Sequence, residues 1–169
     1  IGLFSDVTDE KVAELIHALI YLDEINRLTE EERPVEFYIS TYGGSADDMF
    51  GMYDVMRSIR DTTEIHTCGI GKVMSAGTLV LASGTKGKRK IGKHCRVMIH
   101  SVNSGHVGEL HSIENEVKAV KHMQELYINA MAAETHMTKR QLQKLIDRKV
   151  NVYLSAEEAI EYGIADEIL

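Results

Sequence analysis

Ser75 lies where the sequence changes from a strand pattern to a helix pattern. Residues 65–74 are mostly apolar and are interrupted by Gly69 and Gly71, and residues 76–82 are small and mostly apolar. The first turn of a helix carries backbone N–H groups that lack partners inside the helix, and it is the positive end of the helix dipole. A serine here most often caps the helix. It can also act as a nucleophile beside N–H groups that bind an oxyanion.

A second glycine turn and a histidine follow two other strand patterns. Gly43 and Gly44 come directly after one apolar alternation, and His100 ends another apolar run. The carboxyl ends of parallel strands meet at one edge of a sheet, where sites usually form. The pattern therefore predicts that His100 and the Gly43–Gly44 turn lie near the turn at Ser75.

A histidine that acts as a general base needs a buried carboxylate to fix its tautomer. Asp147 is one candidate for this role, just beyond a short helix pattern. The chain has 26 aspartate and glutamate residues, so spacing alone does not single out Asp147.

The elements that would position these residues alternate between strands and helices along the chain. Strand patterns cover residues 1–7, 35–40, 65–74, 96–100 and 164–169, and helix patterns cover residues 9–25, 46–59, 76–82, 109–135, 138–147 and 155–162. Residues 84–93 form a basic, glycine-rich stretch that predicts a loop. This alternation predicts an α/β fold with a largely parallel sheet, in one domain that spans residues 1–169.

Composition excludes several classes of function. The chain has 169 residues, 44% of them hydrophobic, which suits one globular domain with a core. The net charge of −7 argues against a general nucleic-acid binder. No apolar run is long enough to span a membrane.

Two cysteines, Cys68 and Cys95, lie in apolar patterns and favour a reducing compartment such as the cytoplasm. His66 and His94 lie close to them in sequence. The spacing within each pair is too tight for the usual structural zinc sites, so we expect no metal.

Several short motifs together carry a family resemblance over essentially the whole chain. They are residues 71–77 (GKVMSAG), 84–89 (GTKGKR), 96–100 (RVMIH), 154–159 (LSAEEA) and 161–163 (EYG). With these motifs the sequence resembles the proteolytic subunits of the Clp proteases. The resemblance implies a fold shared with the crotonase-type hydratases, built of repeated strand–turn–helix units with a protruding handle helix at about 109–135.

The resemblance also implies the roles of individual residues. Ser75 would be the nucleophile, His100 the general base, and Asp147 the carboxylate that holds the imidazolium. The backbone N–H groups of Gly44 and Ala76 would form the oxyanion hole. The implied activity is that of a serine endopeptidase that needs no cofactor of its own.

The same resemblance implies an assembly of two stacked heptameric rings that encloses the active sites, with the long helix between the rings. A partner AAA+ unfoldase would supply unfolded polypeptides and use the ATP, and no nucleic acid or membrane is implied as a partner. The sequence has no Walker motif, which agrees with the expectation that the partner, and not this chain, uses the ATP.

Four positions depart from the family pattern. Tyr42 stands where a proline usually precedes the paired glycines, and Ser101 and Val102 stand in place of Gln-Pro after the histidine. Ile146 precedes Asp147 where a charged residue is common.

Three other interpretations remain at this point. One is a catalytically silent Clp-like scaffold subunit, and another is an acyl-CoA-binding enzyme of the hydratase fold. The third is a serine–lysine peptidase that uses Lys72 or Lys93 as its base.

Overall fold

The computed structural model describes residues 1–30 and 32–169. The helices are α1 (Asp9–Thr29), α2 (Ala46–Ile59), α3 (Ala76–Ala82), α4 (Leu110–Glu134), α5 (Lys139–Ile146) and α6 (Ala156–Glu161). The strands are β1 (Gly2–Leu3), β2 (Val35–Thr41), β3 (Ile65–Met74), β4 (Lys90–Ile91), β5 (Arg96–Ile99), β6 (Val152–Leu154) and β7 (Glu167–Ile168). The predicted mixed α/β fold with a largely parallel sheet is confirmed.

Strand β3 is the centre of the sheet. It pairs in parallel with β2 on one side, while β4 and β5 both pair with it on the other. Strand β4 pairs with the middle of β3, and β5 pairs with its last three residues. β6 pairs with β5 and is the one antiparallel member among the described strands. The long β3 thus holds β5 at the edge where its own chain turns into α3.

Four features of the structure differ from the sequence predictions. The strand predicted over residues 164–169 is limited to β7, and β6 was not predicted. The strand predicted over residues 1–7 is limited to β1, and Val7 instead forms an isolated bridge with Gly44. The loop predicted over residues 84–93 contains β4, which is extended because β3 and β7 flank it. Both pairings join residues far apart in sequence, so local patterns do not reveal them.

Helix α4 has two different halves. Its first half exposes apolar side chains, with Leu110 67%, Ile113 39% and Val117 47% exposed. Its last turns are buried against the domain, where Tyr127, Ile128 and Met131 belong to the core. The helix is therefore anchored at its carboxyl end and extends beyond the core. None of the described helices combines the length and the apolarity needed to cross a membrane.

Glu134 anchors the end of α4 through a buried ion-pair network. Its side chain is 1% exposed and accepts hydrogen bonds from both terminal nitrogens of Arg60, at 2.9 and 3.0 Å. Lys86 Nζ lies 3.0 Å from Glu134 Oε2, and Tyr53 donates its hydroxyl proton at 3.0 Å. Arg89 Nη1 donates to the Glu134 carbonyl at 2.7 Å. Burial raises the pKa of Glu134, but the hydrogen bonds of Arg60 and Lys86 outweigh it and lower the pKa overall.

We expect Glu134→Gln to lower the free energy of unfolding by roughly 2–4 kcal/mol, because the cations around this site would lose their counter-charge. The folded-state pKa of Glu134 lies below its unfolded-state value. Its contribution is therefore complete above that unfolded value, about 4.3, and is lost as the pH falls through the folded pKa. Chemical denaturation at pH 7 and in acid measures both effects.

Glu125→Gln is the matched control, because Glu125 is exposed on the same helix. We expect the denaturant concentration at the midpoint of unfolding to be the same for Glu125→Gln and for the wild type. Equal stability of the two variants at pH 7 would contradict a stabilising role for the network.

Candidate active site

Ser75 occupies a sharp turn between β3 and α3. Its φ of 54° and ψ of −123° are rare for a residue with a side chain. The Ser75 N–H donates to the carbonyl of Met98 at 2.8 Å, which ties the turn to β5. Such a conformation costs of order 1–3 kcal/mol and persists only where the surroundings hold it. The Ser75 hydroxyl does not cap α3, so it is free for another role.

Gly43 provides the space for this turn. A Cβ atom at Gly43 would lie 2.6 Å from Ser75 Cβ and 2.9 Å from the Met74 carbonyl oxygen. Its φ of 103° is also a conformation that side chains rarely adopt. The Gly43–Gly44 turn therefore packs directly against the turn at Ser75, as the sequence predicts.

His100 follows the last residue of β5 and meets Ser75. The β3–β5 register pairs Met74 with Met98, so both chains end at the same edge of the sheet. His100 Nε2 lies 2.7 Å from Ser75 Oγ, within hydrogen-bond distance. Burial lowers the pKa of His100, opposed in part by a hydrogen bond with the backbone of Ser101. A lowered pKa favours the neutral imidazole that can accept the serine proton.

The two predicted oxyanion donors line the same cleft as Ser75 and His100. Ala76 is the first residue of α3, so its N–H has no acceptor within the helix. Gly44 is fixed by its bridge to Val7, and a Cβ atom on it would lie 2.3 Å from the Val7 carbonyl oxygen. The structure thus brings Ser75, His100 and the two residues predicted to form the oxyanion hole to one cleft.

The cleft has a volume of about 350 Å³ and an apolar wall. Met49 and Phe50 of α2 and Met123 and Tyr127 of α4 line it. Tyr127 is held by a 2.6 Å hydrogen bond between its hydroxyl and Thr78 Oγ1, and burial raises its pKa to about 12. The sequence pattern does not identify these residues as part of a site, because helical periodicity does not distinguish a face that packs from one that lines a cleft.

The structure does not bring Asp147 to His100. Asp147 is exposed at the end of α5, and its carboxylate accepts a 2.8 Å hydrogen bond from Gln143. Within residues 1–30 and 32–169 no hydrogen bond or ion pair joins Asp147 to His100. The physical reason is the turn after α5, where Lys149 has a φ of 56° and the chain reaches β6 only at Val152.

The lysine alternatives lie elsewhere. Lys72 Nζ sits over the ring of Tyr42, 4.6 Å from its centroid. Lys93 is exposed, and neither lysine lines the cleft. Among the described residues, no group of three or more histidine, cysteine or acidic side chains is placed to hold a metal ion.

Comparisons with known proteins identify the family of the chain. The family model described as Clp protease matches residues 1–169. The "ATP-dependent Clp protease proteolytic subunit 1" of Prochlorococcus marinus subsp. pastoris is 30% identical over all of this chain and 82% of the relative's length. The protein of the same name from Prochlorococcus marinus strain MIT 9312 is also 30% identical, over all of this chain and 83% of the relative. The chain belongs to the Clp protease family.

Proposed function

We propose that the chain is the serine endopeptidase core of an ATP-dependent Clp-type protease. The observation that carries the proposal is the 2.7 Å contact between Ser75 Oγ and His100 Nε2 in a cleft that Gly44 and Ala76 also line. Family membership over the whole chain favours this reaction over acyl-CoA chemistry on a related fold.

The reaction follows from these groups. Ser75 Oγ attacks the scissile carbonyl carbon while its proton passes to His100 Nε2, and the N–H groups of Gly44 and Ala76 bind the carbonyl oxygen as it becomes negative. The tetrahedral adduct collapses, the C–N bond breaks, and His100 gives the proton to the leaving amine. Water then attacks the acyl-enzyme by the same route and regenerates Ser75. These steps use side chains and backbone alone, so the proposal includes no cofactor.

The apolar cleft favours a substrate residue with an apolar side chain. Met49, Phe50 and Met123 offer contact area but no charge to a side chain bound beside Ser75. Such contacts need an extended, accessible chain, so unfolded polypeptides are the proposed substrates.

The exposed first half of α4 supports the proposed assembly. Apolar side chains at this density on a free helix face are typical of protein–protein contacts. We assign this face to contacts between two stacked heptameric rings, and a partner AAA+ unfoldase supplies polypeptide at the cost of ATP. Neither nucleic acid nor membrane is a proposed partner. The two buried free thiols, Cys68 and Cys95, fit a reducing location such as the cytoplasm.

One observation favours a second candidate, a catalytically silent Clp-like subunit. Among the described residues no acidic side chain forms a hydrogen bond or ion pair with His100. Since a carboxylate normally stabilises the imidazolium, the chain could fold and assemble without efficient turnover. Direct labelling of Ser75 distinguishes the two candidates.

We expect a fluorophosphonate probe to label the wild-type chain at Ser75 and to leave Ser75→Ala unlabelled. His100→Ala should lose nearly as much labelling, because the nucleophile and its base act as a unit. Light scattering on the same samples should give the same double-ring mass for all three proteins. A double-ring mass without wild-type labelling would favour the silent subunit, and Ser75→Ala with unchanged cleavage would overturn the site.

The labelling rate should increase with pH and level off near neutrality. Only the neutral imidazole accepts the Ser75 proton, and burial holds the pKa of His100 below its ordinary value of 6.5. The midpoint of the acid limb should therefore lie below pH 6.5. A midpoint above that value would contradict the burial of His100 in the active form.

Peptides that differ only in the residue before the scissile bond test the apolar cleft. We expect leucine or methionine there to raise kcat/KM over aspartate roughly ten- to hundredfold, because the side chain leaves water for an apolar wall. Equal cleavage of both peptides would show that this wall does not bind the substrate side chain.

A further inference from the structure

Apart from its contact with Ser75, the ring of His100 has a hydrogen bond with the backbone of Ser101 but no side-chain partner among the described residues. Nε2 faces Ser75 Oγ at 2.7 Å. For Nε2 to accept a proton, the neutral ring must carry its hydrogen on Nδ1. A side chain that accepts a hydrogen bond from Nδ1–H would hold this tautomer, and Asp147 is not placed to do so.

The strand register identifies the residue that stands across from His100. Strands β5 and β6 are antiparallel, with Val97 opposite Leu154, Met98 opposite Tyr153 and Ile99 opposite Val152. Antiparallel partners step in opposite directions along the two chains. One step beyond Ile99 and Val152, His100 is therefore opposite Asn151.

The alternation of side chains places both residues on one face of the sheet. Arg96 lies over the ring of Tyr153, 4.9 Å from its centroid, so these two side chains are on the same face of the sheet. Residues two apart point to the same side of a strand, so His100 shares the face of Arg96, and Asn151 shares the face of Tyr153. Directly opposed side chains have Cβ atoms about 4.5–5.5 Å apart, which is within reach of an asparagine amide.

We propose that Asn151 is the positioning residue of His100. In the resting structure, which describes both residues, no hydrogen bond joins the Asn151 and His100 side chains. The proposed contact forms during the reaction, when the Asn151 amide oxygen accepts a hydrogen bond from Nδ1–H and keeps Nε2 directed at Ser75. The amide is neutral, so it orients the ring without stabilising the positive charge that forms on it during the reaction. This chain is therefore built as a Ser–His–Asn site of reduced activity, and Asn151→Asp is expected to increase its rate. The inference rests on the proposed peptidase function.

Asn151→Asp and Asn151→Ala are compared with the wild type, and Asn129→Asp is the matched control. Asn151 and Asn129 are both exposed, and Asn129 lies on α4 outside the cleft. We expect Asn151→Asp to raise the rate of fluorophosphonate labelling roughly tenfold or more, since exchanging a triad carboxylate for an amide is severely damaging. Asn151→Ala should lower the rate, and Asn129→Asp should leave it unchanged.

An NMR titration that measures the pKa of His100 distinguishes a positioning role of Asn151 from a purely structural one. A carboxylate beside the ring favours the imidazolium, so Asn151→Asp should raise the pKa of His100 and move the acid limb of labelling to higher pH. Asn129→Asp should move neither. Asp147→Asn, made in parallel, should also leave the titration unchanged, because Asp147 is bonded to Gln143.

The outcomes separate this inference from the proposed function. Labelling that needs Ser75 but has the same rate and pH midpoint in all Asn151 variants would overturn the positioning role and leave the peptidase proposal standing. Labelling that appears only in Asn151→Asp would support the inference and identify the natural chain as nearly silent. If no variant is labelled, the proposed function fails, and the His100 titration alone decides: a shift in Asn151→Asp supports the contact, and no shift overturns it.

Discussion

The site depends on the pairing of β3 with β5. The Ser75 N–H donates to the Met98 carbonyl at 2.8 Å directly beyond the last paired residues. This bond fixes where the chain leaves β3, and it places His100 two residues past its acceptor. A shift of one residue in this register would turn the histidine to the opposite face of the sheet. The nucleophile and its base are thus aligned by backbone hydrogen bonds, before any side chain contributes.

That alignment requires a strained backbone, and glycines permit it. Ser75 has a positive φ, and Gly43 lies so close that a methyl group there would collide with it. The strain keeps the hydroxyl out of the helix cap and directs it toward His100. The buried network around Glu134 contributes indirectly, because it holds the end of α4, the helix that supplies Met123 and Tyr127 to the cleft wall. Stability far from the chemistry is in this way part of the geometry of the site.

Local patterns in the sequence predicted much of this arrangement. The change from strand to helix at Ser75 is visible because glycines and small residues mark a turn within a few positions. The strand β4 was not predicted, since its two residues are extended only through pairing with distant strands. The residue proposed to orient His100 is a related case. Counting along the chain favours Asp147, whereas the turn at Lys149 and the β5–β6 register bring Asn151 opposite His100.

In the site proposed for His100 and Asn151, the distinction between an amide and a carboxylate decides how fast the reaction can run. Both groups can accept the Nδ1 hydrogen and select the same tautomer, so both preserve the geometry at Ser75. Only the carboxylate carries a charge that stabilises the imidazolium formed as the serine attacks. The energetic difference therefore arises in the transition state and not in the folded resting state. A chain with Asn151 can retain the fold, the cleft and the aligned dyad of an active peptidase while turning over slowly, which explains how a complete-looking site and a silent-subunit interpretation arise from one structure.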